Sequence, residues 1–327
     1  MERQIDTNLI EKAAEALRQG QLVAFPTETV YGLGADAKNP EALRRLYRVK
    51  GRPTSHPVIV HLGNTDQLAE WAASVPPAAY LLAEAFWPGP LTMILPRASH
   101  VLDHVTGGQN SVGVRIPSHP LALALIKAFG SGIAAPSANR FGRLSPTSAE
   151  DVRMELGDQV AMVLDGGSCQ VGIESTIVDL TRATPVILRP GMVLASELER
   201  FLGKTDSDLP PDKLTRAPGG LPSHYAPETP IKLVASGLLL EEIERLGAAG
   251  HKAGVLAFAG PPVNMQIPWV VASRNPIDYA RNLYRHLRWL DAQRCYCLLV
   301  ESIPNDNAWS GIKDRLTKAS APRPRVE

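Results

Sequence analysis

Two threonines, a glutamate, a tyrosine and two glycines fall within ten residues at 25–34, FPTETVYGLG, directly after the apolar residues Leu22, Val23 and Ala24. A buried strand that opens into a polar, glycine-containing turn is where α/β proteins place ligand sites. Downstream, Arg44, Arg45, Arg48, Lys50 and Arg52 crowd a helix and the turn after it. Their spacing cannot put all five on one helix face. Lys50-Gly51-Arg52-Pro53 leaves the helix, and Pro53 biases Arg52 toward an extended backbone. Two cations on such a turn suit a polyphosphate. They equally suit a solvated helix end, where they complement the C-terminal dipole.

His61 stands inside the apolar run PVIVHL at 57–62, as a hydrogen-bonded core residue or as a ligand contact. Arg115 lies in VGVRIP, where a buried guanidinium needs a paired anion. That anion is either an internal glutamate or a ligand carboxylate. In AAPSANRFGRLSPT at 134–147, small residues leave room near the backbone. The hydroxyls of Ser137 and Ser145, the Asn139 amide and nearby N–H groups could surround phosphate oxygens; the same segment reads as a Pro/Ser turn ahead of a Ser148-capped helix. GIESTIVD at 172–179 again leads hydroxyls into a strand, and LRPG at 188–191 puts an arginine at a strand end. No Ser-His-Asp order, H-E-x-x-H or Walker loop is present. Arginines, a lysine, hydroxyls and amides bind and orient anions, so chemistry by positioning of phosphates is the natural class.

The elements that must hold these groups follow from periodicity. Helices are predicted at 7–19, 41–49, 65–73, 77–86, 120–129 and 148–156. Strands are predicted at 22–25, 57–62, 91–95, 111–116, 133–135, 161–164, 175–179 and 186–189. Their order is irregular, which points to a mixed sheet. Residues 203–230 are rich in proline and glycine and read as a linker. Beyond it, strands at 231–234, 253–257 and 296–300 alternate with helices at 238–246, 276–291 and 308–318, a small Rossmann-like α/β pattern. No G-x-G-x-x-G loop marks it for a dinucleotide. The net charge of +1 gives no global signature for nucleic acid, and the three cysteines lack zinc-site spacing. With no signal-peptide pattern and no apolar run of about 18 residues, a cytoplasmic protein without membrane contact is expected.

FPTETVYGLG, KGRP, PVIVH, SVGVRIP, APSAN…SPT, GIESTIVD and ILRPG occur in this order between residues 20 and 191. The ordered set resembles the Sua5/YciO/YrdC family in its long form. Residues 275–291 and 307–319 look like helices of that form's C-terminal Sua5 domain. The resemblance implies a YrdC-like twisted mixed sheet with helices around a basic cavity, plus a smaller Rossmann-like α/β domain. The catalytic domain would span 1–205, a linker and lid 206–230, and the Sua5 C-terminal domain 231–327. The implied reaction joins L-threonine, bicarbonate or CO2 and ATP, with Mg2+, into threonylcarbamoyl-AMP and pyrophosphate. A separate complex would transfer the threonylcarbamoyl group to tRNA, and weak direct tRNA binding is a further expectation.

Matching motif to motif, the resemblance assigns Thr29, His61, Arg115, Ala135 and Ser175 to L-threonine. It assigns Arg52, His56, Ser111, Ser137, Ser145 and Arg189 to ATP, together with His224 and Tyr225 of the HYAP segment. Lys50 and Arg52 would neutralise the pyrophosphate leaving group, and no resident metal site is implied. Two positions depart from the family pattern. Histidine stands at 56 where asparagine or serine is common, and SANRFG puts Phe141 where SANxSG has a small hydroxyl. The rival readings are an RNA-binding module without catalysis, which would bind tRNA in a salt-sensitive way, and a carbamoyl-adenylate-forming enzyme, whose relatives carry Cys-rich zinc fingers.

Overall fold

Proline starts several helices and glycine stops them. Pro77 and Pro120 open the helices Pro77–Phe86 and Pro120–Phe129, where the missing N–H forfeits no hydrogen bond, and Gly130 (φ 82°) ends the second. Asn275 caps the long helix Pro276–Asp291 by accepting from the N–H groups of Ile277 and Asp278. The computed structural model describes residues 5–206 and 214–322. Residues 207–213 of the expected linker lie outside them. The chain divides into two units, Met1–Phe141 with Ser145–Gly220 and Gly142–Leu144 with Leu221–Glu327.

The first unit is built on nine strands: β1 (Val23–Phe25), β2 (Gly32–Asp36), β3 (Ile59–His61), β4 (Leu91–Pro96), β5 (Ser111–Arg115), β6 (Ile133–Ala134), β7 (Met162–Val163), β8 (Thr176–Asp179) and β9 (Val186–Arg189). They form one mixed sheet in the order β7-β1-β2-β6-β3-β5-β4-β8-β9. The pairs β1–β7, β3–β5 and β4–β8 are parallel and the others antiparallel. Successive side chains of β1 enter different cores. Val23 and Phe25 pack with Leu17 and Leu125 of the helices Thr7–Arg18 and Pro120–Phe129, while Ala24 joins Leu43, Leu46 and Val60. Burial on both faces explains why β1 reads as a continuous apolar run rather than an alternating one.

The second unit carries β10 (Ile231–Val234), β11 (Ala253–Ala257), β12 (Trp269–Val271) and β13 (Cys297–Glu301) in the order β10-β13-β11-β12, all pairs parallel. This is the expected Rossmann-like arrangement. The unit also takes in residues 142–144. Gly142 O accepts from Ala226 N at 2.9 Å, Leu144 O accepts from Arg288 at 2.6 Å, and Arg143 pairs with Glu228 at 2.7 Å.

Periodicity did not anticipate β2, β12 or the helix Ala195–Leu202, and the helix expected at 65–73 is a 3-10 turn, Thr65–Gln67, followed by Leu68–Trp71. The departure at β2 has a packing cause. β2 returns antiparallel on β1 with Phe25 opposite Gly32 and Val23 opposite Gly34. A β-carbon at Gly34 would lie 2.9 Å from Phe25 Cε1, 3.0 Å from Ile133 Cγ2 and 3.0 Å from Val23 O. The glycines that disguise the strand therefore serve close approach. Gly34→Ala is expected to destabilise the first unit by roughly 1–3 kcal/mol, the usual cost of overpacking. Urea unfolding would check this, and an unchanged midpoint would count against the tight hairpin.

Candidate active site

Residues 26–31 link β1 to β2 and hold themselves in place. Thr27 Oγ1 donates to Val30 O at 2.6 Å and accepts from Thr29 N and Val30 N, each at 3.2 Å. Its Oγ1 also lies 2.8 Å from Thr29 Oγ1. Arg115, at the end of β5, supplies a donor. Its Nη1 gives to Thr29 Oγ1 at 2.9 Å, its Nη2 to Glu28 Oε1 at 2.6 Å and its Nε to Gly89 O at 3.1 Å. Glu28 Oε2 accepts from Ser118 N at 3.0 Å. Arg115, Glu28 and Thr29 are all buried. Of the two anions open to Arg115, the fold supplies the internal glutamate. Glu28 escaped the sequence reading of the site, although a lone acid in a buried turn was a usable signal.

His61 lies beside Arg115 across the parallel β3–β5 pair, with its ring edge-on to Phe25 at 6.0 Å. Burial, reinforced by Arg115, pushes its pKa down from 6.5 to about 3. The folded protein thus keeps His61 neutral, whereas the unfolded chain protonates it below its ordinary value. Stability is therefore complete above pH 6.5 and falls as pH drops toward 3. The slope reaches about 1.4 kcal/mol per unit, or roughly 2 kcal/mol between pH 6.5 and 5. His61→Gln should flatten this acid limb in urea titrations at the two pH values; an equally steep limb would place the titration elsewhere.

A second group gathers where the helix Pro40–Lys50 ends at Gly51, φ 62°. Lys50 is buried, and its Nζ donates to the carbonyls of Ser137 and Asn139. Burial and then the Arg52 charge hold its pKa well below the usual lysine range. Arg52 Nη2 donates to Pro57 O at 2.8 Å and its Nε to His56 O at 3.3 Å. Its guanidinium lies 5.4 Å from the centre of the Phe141 ring, against whose ring His56 packs edge-on at 5.3 Å. Burial, then Arg52 and Arg216, lower the His56 pKa. Ser137 bridges to Gly32 and Ala135 N donates to Ile59 O at 2.9 Å, which sets the 135–139 segment beside β2 and β3.

Ser175 forms a third group. Its Oγ lies 2.7 Å from Thr92 Oγ1 and accepts from Arg189 Nη2 at 3.1 Å, while Arg189 Nε donates to Ser175 O at 3.0 Å. Ser145 donates to Glu174. Val171 N and Gly172 N donate to the carbonyls of Glu28 and Thr29 at 2.7 and 3.1 Å, tying this loop to the first turn. A β-carbon at Gly191 would lie 2.6 Å from Thr176 N, so glycine is needed where the 189–191 turn crosses β8. Ser111 is buried at the other end of β5 from Arg115, roughly 13 Å away along the strand. Thr215 to Pro218 fold with this unit: Arg216 N donates to Gln109 Oε1 at 2.8 Å, Gln109 Nε2 to Arg216 O at 3.0 Å, and Arg189 Nη1 to Pro218 O at 3.0 Å.

His224 and Tyr225 belong to the second unit, where both are buried. Tyr225 has φ 58°, with its ring 5.1 Å from the Arg315 guanidinium and 6.1 Å from Tyr284. Among the described residues no cluster of three His, Cys, Asp or Glu side chains could hold a metal ion. The first unit buries Lys50, Arg52, Arg115 and Arg189, the first two bonded to backbone carbonyls and the last two to the Thr29 and Ser175 hydroxyls among others.

The same regions match known families. The family model Sua5/YciO/YrdC, described as "Telomere recombination", matches residues 15–191, and the model "Threonylcarbamoyl-AMP synthase, C-terminal domain" matches residues 193–321. The chain is 38% identical to a threonylcarbamoyl-AMP synthase of Pyrococcus abyssi, covering 96% of this chain and 94% of the relative. It is also 38% identical to that of Bacillus subtilis, covering 96% and 93%. The crystal structure of P. abyssi Sua5 complexed with L-threonine superposes with a TM-score of 0.92 at 36% identity, covering 97% of this chain and 96% of that one.

Proposed function

The chain belongs to the Sua5/YciO/YrdC family, in the form with the threonylcarbamoyl-AMP synthase C-terminal domain, and we propose that it makes threonylcarbamoyl-AMP from L-threonine, bicarbonate or CO2 and ATP. The observation that carries this reading is similarity across both units to synthases at 38% identity. The first unit's buried cations and hydroxyls suit the chemistry, which asks for orientation of anions and no covalent nucleophile.

In the reaction, the threonine amine adds to CO2 and loses a proton, giving N-carboxythreonine; from bicarbonate the same carbamate forms with loss of water in place of the proton. A carbamate oxygen then bonds to the α-phosphorus as the bond to the bridging oxygen breaks, and pyrophosphate departs. Thr29, His61, Ala135 and Ser175 receive the amino acid. Arg115, with three of its five donors committed to Gly89, Glu28 and Thr29, fixes the Thr29 hydroxyl and keeps two N–H groups for the substrate carboxylate. Ser111, Ser137, Ser145, Arg189 and His56 serve the nucleotide. Arg52 meets the negative charge that develops on the leaving group. Lys50 would assist Arg52 at the leaving group, with two of its three donors on the Ser137 and Asn139 carbonyls and one left for phosphate. Mg2+ would arrive on the triphosphate and neutralise part of its charge there. His224 and Tyr225 keep their assignment to the nucleotide on the resemblance of the HYAP segment alone.

No helix among the described residues is long and apolar enough to cross a membrane. We place the reaction in the cytoplasm, with a tRNA-modifying complex as acceptor for the reactive mixed anhydride and weak tRNA contact by this chain itself. The test is to incubate the pure protein with ATP, Mg2+, bicarbonate and single amino acids. Pyrophosphate release is expected with threonine and not with the others. Turnover with carbamoyl phosphate, or RNA binding without ATP consumption, would overturn the reading.

A further inference from the structure

His56 and Phe141 touch each other, and both touch the same cation, Arg52. Phe141 meets the His56 ring edge-on at 5.3 Å and lies against the Arg52 guanidinium at 5.4 Å. Phe141 is also fixed by its backbone: its N–H donates to Lys50 O at 2.8 Å, at the end of the helix from which Arg52 emerges. Arg52 is gripped from the other side by its bonds to His56 O and Pro57 O. The Tyr47 hydroxyl lies 2.8 Å from the same His56 O and 2.7 Å from His104 O, which steadies the turn that carries both carbonyls. The guanidinium is thus bonded to two carbonyls and held over an aromatic ring.

We propose that Phe141, braced by His56, is a positioning residue that acts through Arg52: the ring holds the guanidinium in the orientation that receives the nucleotide's phosphates. A cation held over an aromatic face is attracted by the ring quadrupole, and the attraction strengthens where water is excluded. Arg52 is 7% exposed, so the ring stands in for solvent that would otherwise hydrate one face. A small hydroxyl at 141 would give one hydrogen bond and no face. In this chain two rings do the orienting, and the Lys50–Phe141 backbone bond couples the 50–57 turn to the 137–141 segment. The proposal rests on the reading of Arg52 as a nucleotide contact.

The test is a mutant cycle on the full chain with two readouts. Phe141→Ser is expected to lower kcat about tenfold with the KM for ATP within about threefold, the pattern of a lost interaction with charge that develops in the transition state. Phe141→Tyr should bring kcat back to within about twofold of the parent protein. In an Arg52→Ala background, Phe141→Ser should change kcat by less than about twofold, because residues that act through one group are not additive. Equal effects of Phe141→Ser in both backgrounds would overturn the proposal. The second readout needs no activity. The Arg52 Nε–H resonance should carry a ring-current shift that disappears in Phe141→Ser and persists in Phe141→Tyr; an unmoved resonance in Phe141→Ser would also overturn it. Absence of ATP binding by the parent protein, with the ring-current shift intact, would instead sink the nucleotide reading and leave the clamp standing.

Discussion

Arg115→Ala should unfold the first unit more readily by about 3–5 kcal/mol, the range found when one partner of a buried ion pair is removed. The reason is the Glu28 carboxylate, buried and bonded to Arg115 and Ser118 N. Without the guanidinium its charge has water on neither side. Thr29 Oγ1 loses its donor at the same time. Loss of activity alone would therefore say little about catalysis. The informative protein is the double variant Arg115→Met with Glu28→Gln, which removes both charges while keeping an acceptor for Ser118 N. It should regain most of the stability, since an apolar replacement of a buried pair is often neutral. It should still lack threonine-dependent pyrophosphate release. Urea midpoints and pyrophosphate assays on the same samples separate the two effects. A single variant within about 1 kcal/mol of the parent would show that Glu28 finds other compensation, against the rule that an unpaired buried charge is costly.

Arg52→Ala is expected to lower pyrophosphate release by a factor of about 10²–10³, the usual loss when a donor aimed at developing charge is removed. Threonine binding, measured without nucleotide, should change little, because Arg52 bonds to the 56–57 carbonyls and not to the Thr29–Arg115 group. Unaffected pyrophosphate release would remove Arg52 from the chemistry.

Helices with local punctuation were legible. Pro77–Phe86, Pro120–Phe129 and Pro276–Asp291 were read to their ends because proline opens them, and a Trp-Pro-Gly-Pro run, a glycine or a change of pattern closes them. β9, β10 and β11 were read to the residue because stretches of four or five residues, mostly Val, Ile, Leu and Ala, stood between turn residues. β2 was hidden because its glycines answer to Phe25 and Ile133, which only the folded sheet brings near. β12 is a three-residue edge strand inside a proline-rich stretch, too short for any period to register. In the site, residue types and motif order pointed to anion binding, and Arg115 was known to need an anion. Which anion could not be read, since Glu28 lies 87 positions away along the chain. Nor could sequence spacing reveal that Lys50 gives two of its donors to the Ser137 and Asn139 carbonyls, or that His56 and Phe141 meet.

Residues 142–144 are the short excursion by which the chain leaves the first unit, joins the second and returns at Ser145. A fragment ending at Gly220 would keep Gly142, Arg143 and Leu144 but lack Ala226, Glu228 and Arg288, the groups that bind them. A fragment beginning at Leu221 would have the opposite defect. No single cut of the polypeptide releases either unit with all of its residues.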